Sequence, residues 1–341
     1  MKTVFIIGAG GFIGGFIARE ALSRGYDTYV GVRASTSRRY LDDERLHFVV
    51  LDYDASPDSM AAALRDAAPE AGRWDYIIWN LGATKCANFT DFNRINYGYV
   101  KTFVEVLQAE NMVPDRFLYM SSLSAVGPCD ERNYSPITSR DIPQPNTRYG
   151  LSKIKAETFL ETVPDFPWII FRPTGVYGPH EKDYLMMIQC IDSGWDFGVG
   201  YRRQLLTFIY VDDLVNAMFD AIAAGVVRRK YIISEDRAYT QSQFRTIVAK
   251  ALGKRFVIPV RLPLWMAYVA SVVAEKWAVA KGKASTLNRD KYKIMRQRNW
   301  NCDISDARRD FGFTPRVSLQ EGIARTVDAY KSQHRKKNSK L

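Results

Sequence analysis

Along the first 180 residues, short apolar runs alternate with segments whose apolar positions recur three and four residues apart. The runs "TVFII" (3–7), "DTYVGV" (27–32), "LHFVVL" (46–51), "DYIIWNL" (75–81), "RFLYMSS" (116–122) and "WIIFRP" (168–173) are β-branched or aromatic and predict strands. Between them "FIAREALSRGY" (16–26), "MAAALRDAA" (60–68) and "NYGYVKTFVEVLQAE" (96–110) carry helical spacing. Strands that alternate with helices predict an α/β fold, a doubly wound Rossmann-type parallel sheet with ligands at the carboxyl ends of its strands.

After about Pro179 the pattern loosens. Helical "YLMMIQCIDSGW" (184–195) leads into "QLLTFIYVDDLVNAMFDAIAAG" (204–225), then a strand "YIISE" (231–235) and a helix "TQSQFRTIVAKALGK" (240–254). This predicts a smaller C-terminal α/β lobe. The expected organisation is a dinucleotide-binding domain over 1–178, a substrate-binding lobe over 179–330 with part of it returning to the first domain, and a basic tail over 331–341. The segment "LPLWMAYVASVVAEKWAVAKGK" (262–283) is interrupted by Glu275 and Lys276 before it reaches the ~20 apolar residues of a membrane span. Core or dimer packing is its default reading. Covering a pocket or lying on a bilayer stays open.

Composition narrows the class. An apolar content of 47% and a charged content of 25% over 341 residues describe a soluble globular protein. Four cysteines lie far apart, with no C-x-x-C and no signal segment before the first strand, which predicts reduced thiols and a cytoplasmic protein. His47, His180 and His334 sit at no metal-ligand spacing, so no metal is expected. The net charge of +11 is spread along the chain without a nucleic-acid-binding signature. A polyanionic cofactor or an anionic membrane surface are the partners left, with nucleic acid set aside. The cluster "KSQHRKKNSKL" (331–341) reads as a frayed, solvated terminus.

Candidate chemistry begins at "FIIGAGGFIGG" (5–15). G-x-G-x-x-G fails at Ile13, whereas G-x-x-G-x-x-G fits with Gly8, Gly11 and Gly14, leaving Gly10 and Gly15 incidental. A glycine-rich strand-to-helix turn presents backbone N–H groups and a positive helix end to a pyrophosphate. In "RYGLSKIKAE" (148–157), Tyr149 and Lys153 lie four apart, on one helix face. A phenol with a pKa of about 10 becomes an acid–base group near neutrality when an ammonium stabilises its phenolate.

The glycine turn, the serine strand "YMSSLSAVGP" (119–128) and Tyr149–Lys153, in that order, resemble the short-chain dehydrogenase/reductase superfamily. The closer resemblance is to its extended branch, the NAD-dependent epimerase/dehydratase family. "LDYD" (51–54), "NLGA" (80–83), "FRPTGVYGP" (171–179) and "TFIYVDDLVNA" (207–217) also match it. The resemblance implies an NAD(P)-dependent enzyme. Ser122 would hold the substrate oxygen, Tyr149 would be the acid–base, and Lys153 would bind the nicotinamide ribose and tune Tyr149. Asn96 matches an asparagine sometimes assigned to a proton relay, with a structural role equally open. Gly8, Gly11, Phe12, Ile13 and Gly14 would meet the pyrophosphate. Asp52 and Tyr53 would meet the adenine, Leu81, Gly82 and Ala83 would line the cofactor, and Pro173 to Val176 would reach its nicotinamide end. Asp212 and Asp213 read as structural.

Specificity follows from departures. The second strand ends at Arg33 where an NAD-selecting enzyme carries an acid, which favours NADP, with Arg38 or Arg39 as helpers. Leu123 and Ser124 stand where the dehydratases carry Asp-Glu. Leu206, preceded by Leu205, stands where many nucleotide-sugar enzymes carry a diphosphate-binding arginine, although Arg202 and Arg203 are near in sequence. Tyr184 and Met187 add to an apolar wall. The C-terminal half resembles 3β-hydroxysteroid dehydrogenase-like members. The expectation is a secondary alcohol–ketone oxidoreductase acting on a hydrophobic, steroid- or sterol-like molecule, as a homodimer or monomer. A nucleotide-sugar epimerase with tightly bound NAD and a non-catalytic cofactor sensor are the alternatives.

Overall fold

The computed structural model describes residues 1–86, 88, 90–282 and 285–338, with the backbone alone from 333 onward. Strand β1 (Thr3–Ile7) leads through the glycine turn into α1 (Phe12–Ser23). There follow β2 (Asp27–Val32), β3 (His47–Val50), α2 (Pro57–Ala67), β4 (Tyr76–Trp79), α3 (Thr90–Asn93) and α4 (Tyr99–Ala109). Then come β5 (Arg116–Met120), α5 (Arg148–Thr162), β6 (Trp168–Pro173), β7 (Gly175–Tyr177), α6 (Lys182–Asp192), β8 (Trp195–Val199), β9 (Leu205–Tyr210) and α7 (Val211–Ala223). The chain continues as β10 (Arg229–Ile233), β11 (Ala238–Thr240), α8 (Gln241–Leu252), β12 (Ile258–Leu262), α9 (Leu264–Ala280), α10 (Arg289–Arg296), α11 (Ser305–Phe311) and α12 (Leu319–Asn338).

Seven of the described strands form one parallel sheet, ordered β10-β6-β5-β4-β1-β2-β3. The order reverses between β1 and β4, so a crevice opens beyond their carboxyl ends. Register aligns that edge: Ile7 lies beside both Gly31 and Trp79. Alternation along β1 feeds two cores. Val4 and Ile6 pack with α1 and α7, while Phe5 and Ile7 pack with α2, α4 and α5. A third core joins Tyr177, Phe208, Phe244 and Leu319 under the short sheet β11-β9-β7.

Three segments differ from their predicted form. The run 204–225 divides at Tyr210, where the nearly wholly buried strand β9 gives way to α7. Helix α12 continues to Asn338, so most of the basic segment is helical backbone, and residues 339–341 lie outside the described residues. Helix α9 is not a core helix: it buries only Ala267, Ser271 and Glu275.

Candidate active site

A cleft of about 1060 Å³ follows the carboxyl edge of the sheet and runs on between the sheet and the smaller lobe. Its floor at one end is the glycine turn. Gly8 has φ +82°, and a Cβ there would stand 2.8 Å from Leu81 N, so only glycine fits the crossing of the two strand ends. Gly11 is the N-cap of α1 without a side-chain cap, and no acid occupies the first turn. The N–H groups of that turn therefore face the cleft without a side-chain acceptor. Gly8, Gly10, Gly11, Phe12, Ile13, Arg33, Tyr53, Leu81 and Gly82 all line this end. The buried hydroxyls of Tyr53 and of Thr174, another lining residue, have no hydrogen-bond partner among the described residues. An uncapped helix start, orphaned hydroxyls and a floor without side chains fit a dinucleotide.

Helix α5 carries the titratable centre. Thr147 caps it by accepting from Gly150 N at 3.0 Å, and Asp290 of α10 accepts from Arg148 N at 2.8 Å and Tyr149 N at 3.3 Å. Gly150 lets this first turn close on the loop after β5, since a Cβ there would be 3.0 Å from the Ser124 carbonyl carbon. Tyr149 thereby meets Ser122. Desolvation pushes its phenol up to about 12, and the hydrogen bond with Ser122 opposes that rise. Ser122 also caps the short turn Leu123–Ala125 through Ser124 N.

Lys153, one turn on, is buried, and desolvation pulls its amine down to about 7 against the opposing charge of Glu157. Its ammonium donates to the Met120 carbonyl at 2.7 Å and lies 4.8 Å from the Tyr119 ring centre. The influence expected from Lys153 on Tyr149 is therefore not expressed through a direct bond; Ser122 makes the contact. Glu157, another turn on, is fully buried and paired with Arg172 at 2.6 Å, and it accepts from Ser121. Ser121 is thus committed inward, which leaves Ser122 and Ser124 for the cleft.

The other end is walled by side chains from α6, β8, β9 and α10. Met187, Ile191, Trp195, Phe208, Met295 and Trp300 are among its lining residues. Lys85 and Lys291 also reach it, but both pair with Asp183, at 2.6 and 3.2 Å. No arginine lines this end among the described residues, and Arg202 and Arg203 are exposed outside it.

Residues 4–234 match the profile of the NAD dependent epimerase/dehydratase family. The chain belongs to this family. It is an enzyme of the extended short-chain dehydrogenase/reductase type, from a family whose members are NAD-dependent. It is 23% identical over 340 residues to a UDP-glucose 4-epimerase of Vibrio cholerae, covering 96% of this chain and 95% of that one. It is 21% identical over 342 residues to a decarboxylating sterol-4-alpha-carboxylate 3-dehydrogenase of Dictyostelium discoideum, covering 95% and 99%. Its fold matches that of the Bacillus cereus UDP-glucuronic acid 4-epimerase in complex with NAD, with a TM-score of 0.74, 17% identity and coverage of 98% and 99%.

Within this epimerase/dehydratase scaffold, several predicted residues stand elsewhere than expected. Gly14 is off the cleft wall: it holds α1 against the turn after β1, where a Cβ would be 2.6 Å from Ala9 Cα. Gly10 is not incidental, because it lines the cleft and a Cβ would strike Thr36, and Gly15 abuts Tyr40 at 2.7 Å. Asp52 is exposed and off the wall, its carboxylate capping Asp54 N. Ala83 is off it too, with its N–H and carbonyl bonded to the Asn96 side chain. Asn96 is fully buried in the π-turn Arg94–Gly98 and also donates to Ser152, so its side chain is committed to structure. Leu206 lines the cleft and Leu205 does not. Leu123, Ser124, Tyr184, Met187, Pro173 and Val176 are on the wall. Arg38 and Arg39 stack on Phe48 and Tyr40, away from the cleft. Asp213 accepts from Arg316 N and Val317 N, and Asp212 pairs with Arg19.

The residues missed from sequence are Asp290, Glu157, Arg172 and the loop Ser35–Ser37. Glu157 continues the four-residue spacing of Tyr149 and Lys153, and that spacing was the available signal. Asp290 carries none, since its role depends on a contact across 141 residues.

Proposed function

We propose that this family member is an oxidoreductase that interconverts a secondary alcohol and a ketone on a hydrophobic substrate. The observation that carries this reading is the far end of the cleft, where apolar side chains stand beside the carboxylates Glu181, Asp183 and Asp196, the two lysines are paired with Asp183, and no arginine lines the wall among the described residues. A diphosphate needs a cationic, bidentate clamp; a flat apolar molecule needs the wall that Met187, Leu206 and Trp300 supply. Ser122 holds the carbonyl oxygen beside Tyr149, and Tyr149 delivers the proton to it in reduction or removes it in oxidation. Lys153 holds the nicotinamide ribose, and the bound cofactor supplies or accepts hydride. Leu123 and Ser124 offer no carboxylate for loss of water.

We read the cofactor as NADP. Arg33 stands exposed at the adenine end beside Ser35, Thr36 and Ser37, and every carboxylate on the described wall belongs to the other end. A guanidinium and hydroxyls suit a 2′-phosphate.

The test is a titration of purified protein with NADPH and NADH, followed by nicotinamide absorbance with a panel of ketosteroids and UDP-sugars. Net NADPH oxidation by a ketosteroid is expected. Bound NAD released on denaturation, with a UDP-sugar epimerised and no net oxidation, would make the enzyme an epimerase instead.

A further inference from the structure

Helix α9 is built inside out for a helix in water. Over Leu264–Ala280 its buried positions are Ala267, Ser271 and Glu275, which recur every four residues and form one narrow stripe. The only acid of the helix thus points inward, where it accepts from Arg289 Nη2 at 2.9 Å and from Arg289 N at 3.0 Å. The large apolar side chains point out: Trp265 is 68% exposed, Val273 61% and Trp277 65%, with Tyr268 and Val269 also exposed. An ordinary surface helix does the opposite. A contiguous apolar face of this kind marks a site of contact.

Charge selects the contact. On α9 and its C-cap the cations are Lys276 and Lys281, both exposed, and the one acid, Glu275, is buried. Lys281 lies over the ring of Trp277, 3.5 Å from its centre, so cation and indole are presented together. In a two-fold contact with a second copy, this basic face would oppose itself. An anionic lipid surface satisfies both features: tryptophan and tyrosine settle at the headgroup level, and lysine reaches the phosphates. No helix among the described residues is long and apolar enough to cross a membrane, so the contact is with one face of the bilayer.

We infer that α9 docks this protein on an anionic membrane surface, lying in the interface with Trp265, Tyr268 and Trp277 immersed. The inward stripe ties that surface to the cleft. Ala267 packs with Val199, Tyr292 and Met295, and Val199 and Met295 line the apolar end. The cleft therefore has lipid as its neighbour on that side. Delivery of a hydrophobic substrate from the bilayer rests on the function proposed above; the docking does not.

The experiment is co-sedimentation of the full chain, without substrate, with vesicles of phosphatidylcholine alone or mixed with phosphatidylglycerol. Binding to the mixed vesicles is expected, weakened by salt. The exposed pair Trp265→Ser/Trp277→Ser should lower partitioning at least about tenfold, with NADPH binding unchanged as the check on folding. Lys276→Glu/Lys281→Glu should lose binding on the anionic vesicles. A wild-type chain left in the supernatant with both vesicle types overturns the inference. So does light scattering that shows a dimer split by the tryptophan pair, which would give the face to a second copy. Because no substrate is present, either failure leaves the oxidoreductase reading standing, and a silent ketone panel leaves the docking standing.

Discussion

At the glycine-turn end of the cleft the floor is backbone: a turn where a Cβ at Gly8 or Gly10 would clash, and helix N–H groups with no side-chain cap. At the far end it is side chain, supplied by α6, β8, β9 and α10, whose residues are scattered from 182 to 296. Backbone geometry recognises what all dinucleotides share, and side chains recognise what differs between substrates. The difference teaches where changes will act. Substitutions on the far wall should move substrate preference and leave cofactor affinity alone, while Tyr149, Ser122 and Lys153 stand at the junction, where the proposed chemistry would take place.

The strongest way to break that division is Tyr149→Phe. It removes the acid–base group but leaves the ring, so turnover should fall by ~10²–10⁴ while NADPH affinity stays within about twofold of wild type. Retained turnover would falsify the assignment. Next is Glu157→Gln, which leaves the buried Arg172 guanidinium without its counter-charge. Unfolding free energy should drop by about 3 kcal/mol, read from urea denaturation; a loss too small to measure would mean that the Glu157–Arg172 pair does not hold the junction together.

Lys153 sharpens the comparison through pH. Its folded pKa of about 7 lies below the ordinary 10.5. The unfolded chain therefore holds that proton up to about pH 10.5 and the folded chain releases it near 7. Folding carries the full penalty below pH 7 and sheds it as pH rises. Lys153→Met should thus be more stable than wild type by roughly 2 kcal/mol at pH 6, with the gain shrinking toward pH 10 in thermal melts. A gain that does not change with pH would assign it to packing instead. The smallest effect expected is at the adenine end. Arg33→Ala should weaken NADPH about tenfold and NADH hardly at all, and equal losses would remove the 2′-phosphate contact.

How much of this was legible follows the same division. The strands and the order glycine turn, serine, tyrosine, lysine are local patterns, and the residues from Thr3 to Pro173 display them. Even there, spacing does not say what Gly10 and Gly14 pack against, because a glycine's neighbour is fixed only when α1 lies on the turn after β1 and Thr36 comes back across it. Asp52, Ala83 and Asn96 were near the cofactor in sequence order, but a residue one position from the wall can point away from it. Leu205 stands off the wall beside Leu206, and the motif spacing does not separate the two. The far wall was legible only as an excess of apolar residues, since nothing in "LWMAYVASVV" (264–273) says which side faces out.

Asp290 gives the molecule an order in time. A chain emerges from its N-terminus, and the parallel sheet is complete once Ile233 is available to pair beside Pro173. At that moment the glycine turn and all seven strands exist, yet the first turn of α5 still lacks the carboxylate that accepts from Arg148 N and Tyr149 N. That carboxylate arrives only with α10, later in the chain than every strand of the sheet. The strands and the glycine turn can therefore be made before the first turn of the tyrosine's helix has its last partner.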